Sequence, residues 1–178
     1  GGGQQVPVQP NPRLFSEEFK DYDMMTVMNM GLTAEKLAAE AGFTREDMDK
    51  WSLRSHQMAA KAIKDGYFKG EIMPIEAAQA DGTKKVIDYD VSIRADTSME
   101  ALAQLQPSFR QDGTITAGNS SPLNAGASAI MLMSKKKAKK YNLKPLAKII
   151  SMGWAGVEPT VMGKGPVPAS LKALEHVG

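Results

Sequence analysis

Between Thr44 and Asp65 the apolar and small residues Met48, Trp51, Ser55, Met58, Ala59, Ala62 and Ile63 recur close to every third or fourth position. That period places them on one stripe of an α-helix and turns the charged residues to the other side. Thr44-Arg45-Glu46-Asp47 opens the stretch as a capping box with Asp in the Glu position, and Gly66 ends it. The pattern predicts a helix running to about Asp65. A shorter helix is expected before it, capped by Thr33 and stopped by Gly42.

Further along, Glu71 to Ile75 and Lys85 to Tyr89 read as short strands, with Asp81-Gly82 supplying hairpin turn chemistry. Thr97 and Glu100 have capping-box spacing, and Met99, Leu102 and Leu105 then line one face of a short helix that Pro107 closes. From Gly113 the texture changes, and a second unit is expected to begin there. Thr114 to Thr116 is β-branched, a small-residue loop follows from Gly118 to Gly126, and Ala129 to Met133 and Leu146 to Met152 have the apolar character of buried strands. Ser134 caps a short lysine-rich helix, and Pro168 opens a last helix ending near Gly178. Strands alternating with helices predict an α/β layer. Two such strands are too few to close a stable sheet, so the expectation is a piece of a larger fold. At the other end, Gly1 to Gly3 and prolines at 7, 10 and 12 disfavour any regular element.

Composition narrows the chemistry. With 42% hydrophobic and 24% charged residues, the 178-residue chain resembles an ordinary soluble globular protein. A net charge of +2, with scattered basic residues, speaks against nucleic acid as partner, and the longest apolar run falls far short of the ~20 residues of a membrane span. The absence of cysteine removes disulfides, thiolate metal sites and a cysteine nucleophile together. Lone histidines are usually structural, so neither His56, beside Arg54 and Lys61, nor His176, near the last helix end, is given a catalytic role. Gly118-Asn119-Ser120-Ser121 lacks the Gly-Lys-Ser/Thr ending of a nucleotide phosphate loop. The lysine run at 135–140 reads as a solvated face. Met24, Met25, Met28 and Met30 fit either an adaptable patch for an acyl chain or ordinary loop packing.

Three stretches carry a family resemblance: Met30-Gly31-Leu32-Thr33-Ala34-Glu35, Gly113-Thr114-Ile115-Thr116-Ala117-Gly118-Asn119-Ser120-Ser121, and Met162-Gly163-Lys164-Gly165-Pro166-Val167-Pro168-Ala169. Together with Trp51-Ser52-Leu53-Arg54-Ser55-His56, Ile93-Arg94 and Leu105-Gln106-Pro107-Ser108-Phe109, in that order and spacing, the chain resembles the central part of a thiolase, most closely the bacterial fatty-acid degradation thiolases. The likeness extends over essentially the whole chain.

The resemblance implies residues 1–122 as the family's loop domain, with α+β structure, and residues 123–178 as the opening of its αβα-layered C-terminal half-domain. It implies acyl transfer between a cysteine thiolate and coenzyme A, by covalent nucleophilic catalysis. The family's nucleophilic cysteine and its Asn-Glu-Ala-Phe, Gly-His-Pro and second-cysteine motifs are not among these 178 residues, so no catalytic residue is assigned and the segment alone is expected to be inactive. Coenzyme A or acyl-CoA is the implied substrate, with no covalently bound cofactor and no metal. The remaining thiolase half-domains and a homo-oligomer are the implied partners, in the cytoplasm or, in a eukaryote, in mitochondria or peroxisomes.

Carried over position by position, Arg94 matches the arginine lying against the adenine of coenzyme A, where a flat guanidinium suits stacking. Ser121 matches the serine bonded to the pantetheine arm. Leu105, Ser108 and Phe109 match its apolar wall, Ala117 and Gly118 the close backbone approach, and Met30 a side chain beside the thioester. The chain departs from the pattern at Asn29, where some members have histidine, at Ala101, where serine can contact the ligand, and at Ala125, where aspartate is usual. Losing that aspartate removes an acceptor that could tie the loop around Ser121. The alternative is a catalysis-free stand-alone coenzyme A-binding or interaction module, which would melt cooperatively as a monomer.

Overall fold

The computed structural model describes residues 11–177. The expected irregular start at Gly1–Gly3 and the prolines at 7 and 10 lie outside this range, whereas Pro12 opens a short 3-10 turn, Pro12–Phe15. The chain divides between Pro122 and Leu123 into two compact units.

The first unit begins with two helices joined at one residue. Asp23 caps α1 (Met24–Met28) by accepting the Thr26 N–H at 3.1 Å. The Thr26 hydroxyl, donating at 2.7 Å, and then that N–H hold the Asp23 carboxyl below its usual range. Asn29 ends α1 and caps α2 (Met30–Ala41), its Oδ1 accepting the Leu32 N–H at 3.1 Å. The helix therefore starts earlier than Thr33. Thr33 is buried inside it and donates its hydroxyl to the Thr26 carbonyl at 2.7 Å, because Asn29, held in extended backbone, already satisfies the first turn. Gly42 closes α2 with φ +71°, the left-handed cap that only glycine adopts without strain.

α3 (Arg45–Lys64) opens on the expected reciprocal capping box between Thr44 and Asp47. Its predicted apolar stripe is not a packed seam, since Trp51 is 69% exposed and Met58 54%. The fully buried residue of the helix is Asp49.

The hairpin forms, with its first strand later than expected and its second one residue earlier. β1 (Ile75–Ala78) and β2 (Lys84–Ile87) pair antiparallel with Ile75 opposite Ile87. Gly70 at φ +89°, together with turn bonds from Glu71 and Ile72 to the Phe68 carbonyl, keeps the chain coiled up to the start of the strand. The Thr83 hydroxyl and N–H draw the Asp81 carboxyl in the turn below its usual range.

α4 (Met99–Ala103) is capped by Ser98 rather than Thr97, the Ala101 N–H reaching Ser98 Oγ at 3.2 Å. That shift puts Glu100 one place too early to complete a capping box. Its own backbone N–H, then Ser98, lower its carboxyl instead. The helix ends before Pro107, which forms an antiparallel bridge with Thr116.

Residues 113–121 belong to this first unit, contrary to the break expected at Gly113. Glu35, 4% exposed, reaches across from α2 and accepts the N–H groups of Thr114 and Ile115 and the Thr114 hydroxyl, at 2.8–3.0 Å. Gly113 permits this approach, because a Cβ there would collide with the Glu35 carboxylate. Thr116 is fully buried.

In the second unit Ser134 caps α5 (Lys135–Lys140) as expected, with Ala138 alone turned inward. α6 (Pro166–Glu175) begins at Pro166 rather than Pro168, since a proline in the first turn loses no hydrogen bond. A 3-10 stretch, Pro159–Lys164, precedes it. The expected strands at 129–133 and 146–152 do not form. Both segments run without strand pairing among the described residues, Ile130 is 85% exposed and Leu146 wholly so. An apolar run becomes a strand only when another strand satisfies its backbone. Residues 151–153 are instead held against α6, where Ser151 Oγ donates to the Ala173 carbonyl at 2.6 Å and a Cβ on Gly153 would meet the Ala169 carbonyl.

Candidate functional site

One face of α3 and the loop after Thr116 enclose a cavity of about 750 Å3 within the first unit. Met48, Trp51, Ser52, Ser55, His56 and Ala59 form the helical wall, Gly118 to Pro122 the loop wall, and Phe43, Ser92 and Ile93 the edges. Apolar surface from Met48, Trp51 and Ile93 alternates with the hydroxyls of Ser55, Ser92, Ser120 and Ser121. A trough of this volume, mostly apolar with a few fixed polar groups, suits an elongated small molecule. Asp47 also borders it, but its carboxyl is engaged by Thr44, whose hydroxyl and then N–H hold it below the usual carboxylate range. The Arg54 guanidinium lies 5.2 Å from the Trp51 ring centre, adding positive charge at the exposed indole.

The residues expected at the site fall into two groups. Gly118 and Ser121 line the cavity. Arg94 is not itself in the lining; it follows Ile93, which is, and its backbone N–H donates to His56 Nδ1 at 3.2 Å. Ala117, exposed, precedes Gly118 directly. Leu105 packs behind the loop, where a Cβ on Gly118 would have to displace the methyl ends of Leu105 and Leu102. The second group stands apart from the cavity lining. The Phe109 ring lies on Gly31, so tightly that a Cβ would enter the ring, Met30 is the neighbouring exposed residue, and the Ser108 N–H bonds the Ile115 carbonyl at 2.9 Å. Met24 and Met25 border a separate shallow hollow of about 300 Å3 with Phe15, Phe19 and Tyr22.

His56 has a place the sequence did not suggest. It lines the cavity and accepts the Arg94 N–H through Nδ1. An imidazole that accepts through Nδ1 carries its proton on Nε2, which leaves that nitrogen as a donor. Asp49 and Asn119 were equally invisible. Asp49 accepts Arg45 Nε at 2.7 Å and Asn119 Nδ2 at 3.1 Å, joining the helical wall to the loop wall from below. Among the described residues no group of three or more His, Asp or Glu side chains is disposed to hold a metal ion, and no helix is long and apolar enough to cross a membrane.

The geometry and the sequence meet in comparisons with known proteins. Residues 7–136 match the thiolase N-terminal domain. The chain is 46% identical over 172 residues to a 3-ketoacyl-CoA thiolase of Stutzerimonas stutzeri, covering 96% of this chain and 43% of that protein. It is 51% identical over 150 residues to a 3-ketoacyl-CoA thiolase of Marinobacter nauticus, covering 84% of this chain and 38% of that one. Among solved structures, the Bacillus anthracis acetyl-CoA acetyltransferase superposes with a TM-score of 0.78 at 48% identity, over 83% of this chain and 37% of that one. Human mitochondrial 3-ketoacyl-CoA thiolase in complex with CoA superposes with a TM-score of 0.77 at 41% identity, over 84% of this chain and 36% of that one. This chain belongs to the thiolase family, and its helices and small sheet are a partial α/β thiolase fold. It spans about two fifths of the length of the curated relatives it matches.

Proposed function

We propose that this chain supplies the coenzyme A-binding part of a thiolase that transfers acyl groups between coenzyme A thioesters, in thiolysis of a 3-ketoacyl-CoA or condensation of acetyl units. The observation that carries the reading is the cavity between α3 and the Gly118–Ser121 loop, with the Arg94 backbone tied to His56 in its wall. In this reading residues 1–122 are the loop domain and 123–178 the opening of the C-terminal half-domain. Ser121 and the His56 Nε2 proton meet the polar atoms of the ligand, Arg94 takes the adenine and phosphate end, and Ala117, Gly118 and Leu105 border the pantetheine arm. Ser108, Phe109 and Met30 carry that wall toward the acyl end. Relatives at this identity are named 3-ketoacyl-CoA thiolase, and one structural neighbour was solved with CoA bound, which supports coenzyme A as the ligand.

No cysteine is present in the 178 residues, so the thiolate that accepts the acyl group comes from the remaining half-domains of the assembled enzyme. Those half-domains are also the partners that the exposed apolar segments around Ile130 and Leu146 call for. The assembled protein is read as a homo-oligomer acting in the cytoplasm, or in mitochondria or peroxisomes of a eukaryote. Calorimetric titration of coenzyme A into the intact gene product, alongside Arg94→Ala and Ser121→Ala, tests the site. The expected result is binding that weakens by about tenfold in each variant, the worth of one good polar contact. Unchanged affinity in both would remove the ligand from this cavity. Thiolysis by the purified 178-residue chain would overturn the division of labour.

A further inference from the structure

The Asn119 side chain makes three hydrogen bonds, and their directions leave its amide only one orientation. Oδ1 accepts the Thr116 N–H at 2.8 Å, while Nδ2 donates to the Thr114 carbonyl at 3.0 Å and to Asp49 Oδ1 at 3.1 Å. Asp49, 1% exposed, is the middle of a longer chain. Its other oxygen accepts Arg45 Nε at 2.7 Å, and the Arg45 terminal nitrogens donate to the carbonyls of Leu105, at 3.0 Å, and Leu102 at the end of α4. One turn along α3 from Asp49, Ser52 Oγ donates to the Gly118 carbonyl at 2.5 Å. Two hydrogen bonds thus tie the loop wall of the cavity to the helical wall, one at Asn119 and one at Gly118. A single tie at Gly118 would let residues 118–121 pivot, and Glu35 holds the loop only at 114 and 115, ahead of the cavity.

We propose that Asn119 and Asp49 are positioning residues for ligand binding, a buried pair that fixes the Gly118–Ser121 loop against α3 and so sets the distance between the two walls of the cavity. The proposal rests on the reading of that cavity as the coenzyme A site. Glu35 attaches the loop, whereas the Asn119–Asp49 pair aims it. The chemistry is specific: Asn119→Asp places a second carboxylate against Asp49 and removes both N–H donors, while the swap Asp49→Asn with Asn119→Asp restores an amide donor between helix and loop.

The test combines backbone amide exchange over residues 116–122 with coenzyme A affinity, both measured on the intact gene product. Asn119→Asp is expected to speed exchange in the loop and to raise the coenzyme A Kd, each by about tenfold, the equivalent of one hydrogen bond to a charged group. The swapped double variant recovers part of both, since it re-makes the bond between helix and loop but leaves the Thr114 carbonyl without its donor. Glu35→Gln lowers the melting temperature but leaves the Kd within about twofold, because it loosens attachment without touching the aimed segment. Asp49→Asn alone serves the same measurements if Asn119→Asp does not fold. Unchanged loop exchange in the Asn119 or Asp49 variants, or an equal rise in Kd for Glu35→Gln, overturns the proposal. If the wild-type protein binds no coenzyme A, the reading of the cavity fails, and loop exchange by itself then decides the positioning role.

Discussion

Glu35 and Thr114, separated by 79 positions in sequence, meet through both carboxylate oxygens, each 2.9 Å from the Thr114 N–H. The same carboxylate takes the Thr114 hydroxyl and the Ile115 N–H, so one buried side chain satisfies three donors of a segment that has no sheet to pair with. Glu35→Ala leaves those donors buried without an acceptor. It should cost about 3 kcal/mol, since hydrogen bonds to a charged group are worth about 1.5–3 kcal/mol and their stranded partners add to the loss. Urea midpoints of the two proteins measure it; a loss within experimental error would show that water replaces the carboxylate freely.

Gly31 lies under the ring of Phe109 with no room for a methyl group. Alanine favours a helix over glycine, so on propensity alone Gly31→Ala would be stabilising by up to about 1 kcal/mol. The packing reverses the sign. The variant is expected to lose stability and to displace Phe109, and Phe109→Leu in the same chain should recover part of the loss. Thermal melts of the single and double variants give the coupling directly.

The α3 cap has a pH signature. The Thr44 hydroxyl, then its N–H, depress the Asp47 carboxyl, so the cap contributes stability at neutral pH. This contribution is fully present above the unfolded carboxylate value of about 4 and is lost as pH falls through the lowered folded value. Thr44→Val should return the Asp47 midpoint toward the ordinary range and lower the neutral-pH melting temperature by about 2–4 °C. A side-chain carboxyl titration by NMR checks the first, and a midpoint that does not move would show that the box plays no part.

In the proposed coenzyme A site His56 has two routes to the ligand, one through the Arg94 backbone it holds and one through its own ring. His56→Leu removes the acceptor for the Arg94 N–H and the cavity donor together, and is expected to weaken coenzyme A binding by about tenfold or more. His56→Asn, whose carbonyl can still accept, should fall between. Equal affinity for wild type and leucine variant would return His56 to a purely structural role.

What could be read in advance followed the range of the interactions. The Thr44–Asp47 box, the Ser134 cap and the Gly42 stop are decided within four residues and stand where the pattern put them. Where two capping residues compete nearby, the pattern chose wrongly: Asn29 and Ser98 hold the positions expected for Thr33 and Thr97. The apolar runs at 129–133 and 146–152 promised burial, yet strand pairing depends on residues far away, and among the described residues none pairs with them. Asp49 was hidden for the same reason. A carboxylate on a helix reads as solvent-facing until its partner, Asn119, arrives 70 residues later. The cavity residues Gly118 and Ser121 were named through family likeness, which carries long-range information that periodicity lacks.

The unpaired stretches of the second unit give its assembly a built-in clock. Residues 129–133 and 146–150 pair with no strand among the described residues, so in a lone chain their N–H groups should trade hydrogen with solvent almost as fast as a free peptide. The moment at which they stop doing so, followed by pulsed deuteration during refolding, would date the arrival of whatever strands complete them, independently of when the first unit closes.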